Sequence, residues 1–391
     1  MRLEVLIFGG GVAGLWCLDR FRRAGYSALL LESQALGCGQ TIQAQGIIHG
    51  GGKYALRGVR DFAAVRAIKE MPGFWRRCFA GSEEPNLAGT QLLSESCYLW
   101  LPRGSTMAKV QSWGFVPVLA KTGLLATPPV KVAADSWPPA LRDSAVAVYA
   151  LAEPVISTGT LLQALSRRQH NNIVLYEPAT LRFDSGDVEV GATRLAPATM
   201  VFAAGAGNAE LLRKAGIQQD LMQRRPLGMI LLSGKLPELH GHCIVGGKTQ
   251  LTITTPAPGI WQVGGEIAER LADVDDPAQA RRIGLREIRR WLPGLDFADC
   301  AIAMYRAVRA EARTADQRRP SGVHVSRVAP KIIAAWPTKL TMAPVLAEEV
   351  FQLAREELGE PSPCDEIAAL KWSAPNVARY PWEECEWHRA D

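Results

Sequence analysis

No stretch of about 18 consecutive apolar residues occurs in the 391-residue chain, so no segment reads as a bilayer-spanning helix. The cysteines show no CxxC spacing and sit mostly in apolar surroundings. That argues against a zinc ribbon or a redox dithiol and for reduced core thiols. The histidines form no HExxH; His240-Gly241-His242 is an isolated pair in an expected turn, and no metal centre is expected. Internal repeats and low-complexity segments are missing too. The arginines behind the net charge of +5 are spread through helices, as at Arg281-Arg282 and Arg289-Arg290. A nucleic-acid partner would draw them into a block with aromatics, so a solvated basic face is expected, one that also suits anionic lipid or an acidic substrate. The first apolar run begins almost at Met1, so no signal or transit peptide is expected. A cytoplasmic location, with peripheral membrane association allowed by the basic face, is the expectation.

What is present is ordinary globular composition in a chain long enough for two domains. Glu4-Val-Leu-Ile-Phe8 is an apolar run too short for a helix, and Gly9-Gly-Gly-Val-Ala-Gly14 follows it. An amphipathic run to Gly25 and a second apolar run, Ser27 to Glu32, complete a βαβ unit with a dinucleotide fingerprint. Gly9 permits the tight turn, Gly11 lets backbone N–H groups approach a pyrophosphate, and Gly14 lets the helix press on the sheet. Glu32 stands where an acid accepts hydrogen bonds from a ribose. Downstream, Gly37 to Tyr54 is too glycine-rich for a regular helix and too apolar at Ile47-Ile48 for a disordered linker. Close approach of backbone to a large planar ligand accounts for that composition.

Further along, Val59 to Phe79 has helical spacing interrupted at Pro72-Gly73, and Gly81 to about Ala150 alternates short apolar runs with turns, as a separate sheet-rich insertion would. Thr199 to Asn208 is a second strand–glycine–helix element, so the nucleotide domain returns and the two domains interleave. Period-two alternation from Pro226 to Ala268 predicts an antiparallel hairpin closed at Pro256-Ala-Pro-Gly259. Asp276-Pro277 predicts the cap of a basic helix that stops at Pro293-Gly294. Ile302 to Glu311 reads as a strand carrying Arg306 and Arg309, and Lys331 to Trp336 as a buried strand turning at Pro337 to Thr341 into the last long helix.

Taken in order from residue 1 to about residue 355, the fingerprint with Glu32-Ser33, the loop from Gln40-Thr41 to Gly52, the Ala203-Ala204-Gly205-Ala206 strand end and the Lys339-Leu340-Thr341 turn resemble the D-amino-acid-oxidase superfamily of FAD-dependent oxidoreductases. Gly46-Ile-Ile-His-Gly-Gly-Gly-Lys-Tyr54 is most similar to the loop of glycerol-3-phosphate and L-2-hydroxyglutarate dehydrogenases, which oxidise a C–OH bond. The resemblance implies FAD, bound by Gly9, Gly11, Val12, Ala13, Gly14, Glu32 and Ser33 of the fingerprint. Gln40, Thr41, Gln45, Gly46 and Ile48 of the loop, Val155, Ala204, Gly205, and Thr338 to Thr341 (Thr338, Lys339, Leu340, Thr341) would complete the cofactor site. It implies an α/β fold in which a Rossmann-like FAD-binding domain (1–80, 150–225 and 306–358) interleaves with an α+β substrate domain (81–149 and 226–305) on a largely antiparallel sheet. Residues 359–391 form a C-terminal extension. The turn at Trp336-Pro337-Thr338 departs from relatives that usually carry glycines there, and Arg309-Ala310 from many that have proline after the arginine.

Dehydrogenation by a flavin calls for a base and usually a cation for the substrate's anionic group. His49, which the resemblance places beside the flavin, is the candidate base; the other reading is a histidine that holds the loop or the cofactor. Arg309 is the candidate anion clamp and Arg306 its alternate, since residues three apart on a strand face opposite sides; a salt bridge to Glu311 or a helix acid is the competing role. Lys53 and Tyr54 are candidates for the pocket entrance, against a surface lysine and a packed tyrosine. Lys339 and Thr341 stand where helix-end N–H groups and an ammonium would stabilise negative charge, against simple capping by Thr341. The expected reaction is dehydrogenation of a small anionic substrate, a 2-hydroxy acid or polyol phosphate. The alternatives are an amine or amino-acid oxidase, and an FAD-binding subunit needing a partner, the latter suggested by the Trp-rich tail and the basic helices. Quinone, oxygen and a protein all stay open as electron acceptor.

Overall fold

The computed structural model describes residues 1–51, 68–104, 126–316, 320, 322–362 and 372–390. Strand β1 (Arg2–Phe8) runs into helix α1 (Val12–Arg23) and then strand β2 (Ala28–Glu32), with β1 and β2 parallel in the register Val5↔Ala28 to Phe8↔Leu31. Both strands are apolar on both faces because the sheet is covered on both. Val5 and Ile7 pack with α1 and the helix Ala343–Leu358, while Leu6 and Phe8 join a second cluster on the opposite face. The order across this sheet is His324–Ala329, Ile332–Trp336, Thr193–Phe202, β1, β2, Ile173–Leu175. The neighbours from Ile332–Trp336 to Ile173–Leu175 run parallel.

A second, nine-stranded sheet is mostly antiparallel. Its long pair, Met222–Ser233 with Ala301–Ala312, stays in register over twelve residue pairs, from Met222↔Ala312 to Ser233↔Ala301. The hairpin Lys248–Ala257/Ile260–Gly264 turns at the predicted Pro256 to Gly259, and Cys97–Pro102 and Ala145–Leu151 of the expected insertion extend the same sheet. Residues 306–312 complete a strand of this second sheet, so the expected boundary at 305/306 falls inside a strand. Asp276 caps the helix Pro277–Trp291, its Oδ1 accepting the Ala278 N–H at 2.9 Å. Pro72 does not interrupt a helix but sits in the first turn of one, Met71–Phe79, where its missing N–H costs nothing; the earlier part of that predicted run, 59–67, lies outside the described residues.

The tail crosses both sheets. Its backbone bonds Leu36 and Leu175 on the parallel side, through Asn376, Ala378 and Ser373. The Tyr380 hydroxyl accepts the Gly159 N–H at 2.7 Å and lies 2.8 Å from Ser157 Oγ. Further on, His388–Arg389 pairs with Ala301 and Ile302, and Trp382 and Trp387 pack on the Leu227–Met229–Tyr305 cluster. Its aromatic side chains therefore serve this chain's own packing. Among the described residues no helix is long and apolar enough to cross a membrane.

Candidate active site

A cavity of about 600 Å³ begins at the ends of the parallel strands and reaches the second sheet. Its size is ordinary for a bound cofactor or small molecule. At its near end Gly9 has φ +107°, and a Cβ there would lie 2.5 Å from Ala204 Cα, so two strand ends approach too closely for any side chain. A Cβ on Gly14 would overlap the Gly9 carbonyl oxygen, which is the close helix–strand contact expected of it. The first turn of α1 therefore lies at the cavity, with Gly11, Val12 and Ala13 in the wall, and the Val12 N–H donates to Thr41 Oγ1 at 3.1 Å.

Glu32 accepts from the Gly10 N–H at 2.6 Å and from Ser33 and Gln34 N–H at 2.8 Å each, while lining the cavity. An ionised carboxylate has about four acceptor positions, so this acid organises the turn and keeps capacity for one more donor. Beside it stands Tyr176, absent from the sequence-based site; burial, then the Glu32 charge, pushes its phenol up to about 12. A helix N-terminus, a glycine turn no Cβ could enter and an acid at the end of β2 together suit an adenine dinucleotide.

The middle of the wall is the 40–47 loop, tied to the second sheet. Gln40 Oε1 accepts the Ala310 N–H at 2.9 Å, and Gln45 Nε2 donates to the Gln262 carbonyl at 2.8 Å and the Thr252 carbonyl at 3.0 Å. Gly46, Ala204, Gly205, Thr338, Lys339 and Leu340 also line the cavity, as expected. Thr338 holds φ +58°, a left-handed conformation that costs a β-branched residue about 1–3 kcal/mol and glycine little. Its hydroxyl donates to the Gly322 carbonyl, which helps hold it there. The departure from a glycine turn is thus a real local strain on the cavity wall. Asn208, fully buried, staples the strand end: Oδ1 accepts the Ala204 N–H at 2.8 Å, and Nδ2 donates to Phe202 O at 3.0 Å and Ala335 O at 3.2 Å.

Four expected cofactor contacts fall elsewhere; Gly14 is one, pressed between helix and strand. Ile48 points into the core and Val155 is buried in a bridge to Ile47, because alternation turns Ile47 and His49 to the cavity instead. Thr341 is buried behind the wall and donates to the His49 carbonyl at 3.2 Å, so it neither caps the helix nor faces the cavity.

His49 lines the cavity with its ring 14% exposed, and its Nδ1 lies 3.0 Å from Glu153 Oε2. The Gly50 N–H donates to Glu153 Oε1 at 2.9 Å. Behind the pair the His242 ring sits 5.6 Å from the His49 ring, centroid to centroid, and its Nδ1 is 2.9 Å from Thr252 Oγ1. These three residues bring His and carboxylate donor atoms within 4.8 Å of one another, a clustering that no spacing in the sequence announced.

Both arginines border the cavity, but they are not equivalent. Arg306 donates to the carbonyls of Leu271, Ala272 and Val274, closing the C-terminal end of the helix Glu266–Leu271. That guanidinium is committed to structure and drops out as a clamp. Arg309 Nη1 lies 3.0 Å from Glu269 Oε1, the helix acid of the competing reading, with side chains 25% and 45% exposed. Glu311 is taken by Arg225 instead, in a two-point pair at 2.9 and 3.0 Å. Burial opposes the Arg225 charge, but Glu311 and Glu269 outweigh it and raise its pKa. Lys53 and Tyr54 lie outside the described residues.

The model of the FAD dependent oxidoreductase family, DAO, matches residues 4–353. The chain is 35% identical to the probable FAD-dependent oxidoreductase PA4991 of Pseudomonas aeruginosa, over 99% of its own length and 98% of the relative's. The crystal structure of that protein superposes with a TM-score of 0.81 at 32% identity, covering 98% of each chain. Glycine oxidase from Geobacillus kaustophilus (TM-score 0.65, 15% identity, 95% of this chain and 100% of that one) shares the fold. So does L-α-glycerophosphate oxidase from Mycoplasma pneumoniae, solved with FAD bound (TM-score 0.63, 15% identity, 93% and 100%).

Proposed function

The chain belongs to the DAO family of FAD-dependent oxidoreductases, and from that premise we propose that it dehydrogenates a small anionic substrate at a carbon bearing a hydroxyl group, of the 2-hydroxy-acid or polyol-phosphate type. The finer placement, beside the glycerol-3-phosphate and L-2-hydroxyglutarate dehydrogenases, draws support from the Gly46 to Gly51 loop and its histidine. FAD, when bound, supplies the hydride acceptor. The chain's residues would hold it by the Gly9–Ala13 turn, Glu32, the 40–46 loop and the 337–340 turn, all in the cavity wall.

The observation that carries the reading is His49 in that wall. An alcohol must lose its hydroxyl proton as hydride leaves carbon, whereas a neutral amine can form its C=N bond with its own lone pair. A base is therefore more informative for C–OH than for C–N chemistry, and imidazole is suited to accept that proton near neutral pH. Arg309 would bind the anionic group, exchanging Glu269 for substrate. A second reading, an amine or amino-acid oxidase, is favoured by Glu266 and Glu269 in the same wall, which could meet an ammonium. The partner-dependent reading keeps the basic helices as its motive and loses support from Trp382 and Trp387, which pack on the chain itself. Anaerobic bleaching of the bound flavin by a panel of hydroxy acids, polyol phosphates and amino acids decides: reduction by hydroxyl compounds is expected, and reduction by amines alone would overturn the proposal.

A further inference from the structure

We infer that Glu153 is the positioning residue for His49: its carboxylate keeps the imidazole proton on Nδ1, leaves the lone pair on Nε2, and supports the positive charge the ring acquires when it takes a proton. The inference rests on the reading of His49 as the base. The pair is separated by 104 residues and is assembled by backbone, not by a shared element. The Ile48 N–H donates to Pro154 O at 2.9 Å and the Ile156 N–H to Gly46 O at 3.0 Å, with Ile47 bridging Val155 in antiparallel fashion. Those bonds fix the 46–50 loop against 153–156, and they bring a side chain 4% exposed to one 14% exposed. A Cβ on Gly46 would overlap the Ile156 carbonyl oxygen, so the approach itself depends on glycine.

The two carboxylate oxygens have separate tasks. Oε1 is held by the Gly50 N–H at 2.9 Å, which stops the group from rotating, and Oε2 meets His49 Nδ1 at 3.0 Å. A carboxylate only accepts, so the nitrogen facing it carries the proton. The carboxylate charge also offsets the positive charge the ring gains when it accepts a proton. Among the described residues, Glu153 and His242 are titratable groups that stand beside His49. His242 packs at 32° to the His49 ring and is itself oriented through Thr252 Oγ1 at 2.9 Å.

Glu153→Gln is the decisive variant. Its amide oxygen can still accept the Gly50 N–H, while its NH₂ must donate to Nδ1, so the ring proton moves to Nε2. In the FAD-loaded full chain, nitrogen-15 spectra should show His49 switching to the Nε2–H form with a lowered pKa. Flavin bleaching by the best substrate should slow by about 10²–10⁴-fold, with FAD affinity and the unfolding midpoint close to wild type. Glu153→Asp, which retains the charge on a shorter arm, should keep the Nδ1–H form and recover part of the rate. An unchanged tautomer and titration in Glu153→Gln, or a loss in Glu153→Asp equal to that in Glu153→Gln, would overturn the assignment. The spectra read the pair without turnover. A tautomer switch with no response to any hydroxyl compound keeps Glu153 and defeats the base; hydroxyl-driven bleaching undiminished in Glu153→Gln with the tautomer unchanged does the reverse.

Discussion

Replacing Glu269 by glutamine should tighten the binding of anionic substrates, and the size of the effect follows from exposure. The Arg309–Glu269 contact is 3.0 Å long, but its partners are 25% and 45% exposed. A pair so open to solvent is worth about 0.2–1 kcal/mol after screening and side-chain ordering. An incoming carboxylate or phosphate must give up that pairing to reach Arg309, so removing the competitor should lower KM by roughly 1.5- to 5-fold. The variant should not disturb the fold, because Arg225, which lies 3.8 Å from the same carboxylate, keeps its two-point pair with buried Glu311. The assay is steady-state KM at low and high salt for an anionic substrate and for a zwitterionic amino acid. The gain should shrink at high salt. A KM that rises for the anion, or a variant that loses amino-acid turnover while hydroxyl substrates stay inert, would refute the clamp reasoning and favour an ammonium at Glu269.

Asn208→Ala removes three hydrogen bonds from a fully buried amide and should cost about 2–4 kcal/mol in chemical denaturation; a loss under about 0.5 kcal/mol would show that the strand end does not depend on it. Tyr380→Phe takes the acceptor from the Gly159 N–H and should lower unfolding free energy by about 1–2 kcal/mol, with equal stability counting against the tail's role in joining the two sheets. Burial holds the His324 imidazole below its usual range. The folded state therefore binds that proton less well than the unfolded state, and the stability it confers is complete above about pH 6.5 and falls as the pH drops through the native pKa. The variant His324→Asn should lose less stability than wild type between about pH 7 and about pH 5; an identical slope would contradict the sign.

The parts of the fold that were legible in the sequence are those set by local rules. The β1–α1–β2 unit, the Asp276 cap and the hairpin at 256–259 each depend on residues within one or two turns of one another. The site was legible where glycine was sterically required, as at Gly9 and Gly14. What escaped was pairing across the chain. Alternation allowed Arg306 or Arg309 to face the cavity but could not show that Arg306 is spent on the carbonyls of a helix end, or that Arg309 meets Glu269, 40 residues away. Glu153 carries no local signal in Glu153-Pro154-Val155; its meaning comes from the loop laid against it. Val155 and Ile48 were assigned to the cofactor by resemblance, and the backbone turns both inward. Tyr176 follows a short strand whose apolar residues gave no reason to single it out, and only the parallel pairing of Ile173–Leu175 with β2 brings it beside Glu32.

The most direct test of the account is the rate of anaerobic flavin bleaching in His49→Ala, measured over a single turnover with the hydroxyl compound that reduces wild type best. A base in the cavity wall predicts a loss of about 10²–10⁴-fold, with FAD still bound and substrate affinity little changed. A variant that bleaches at the wild-type rate would show that His49 only holds the loop, and the proposed chemistry would fall with it.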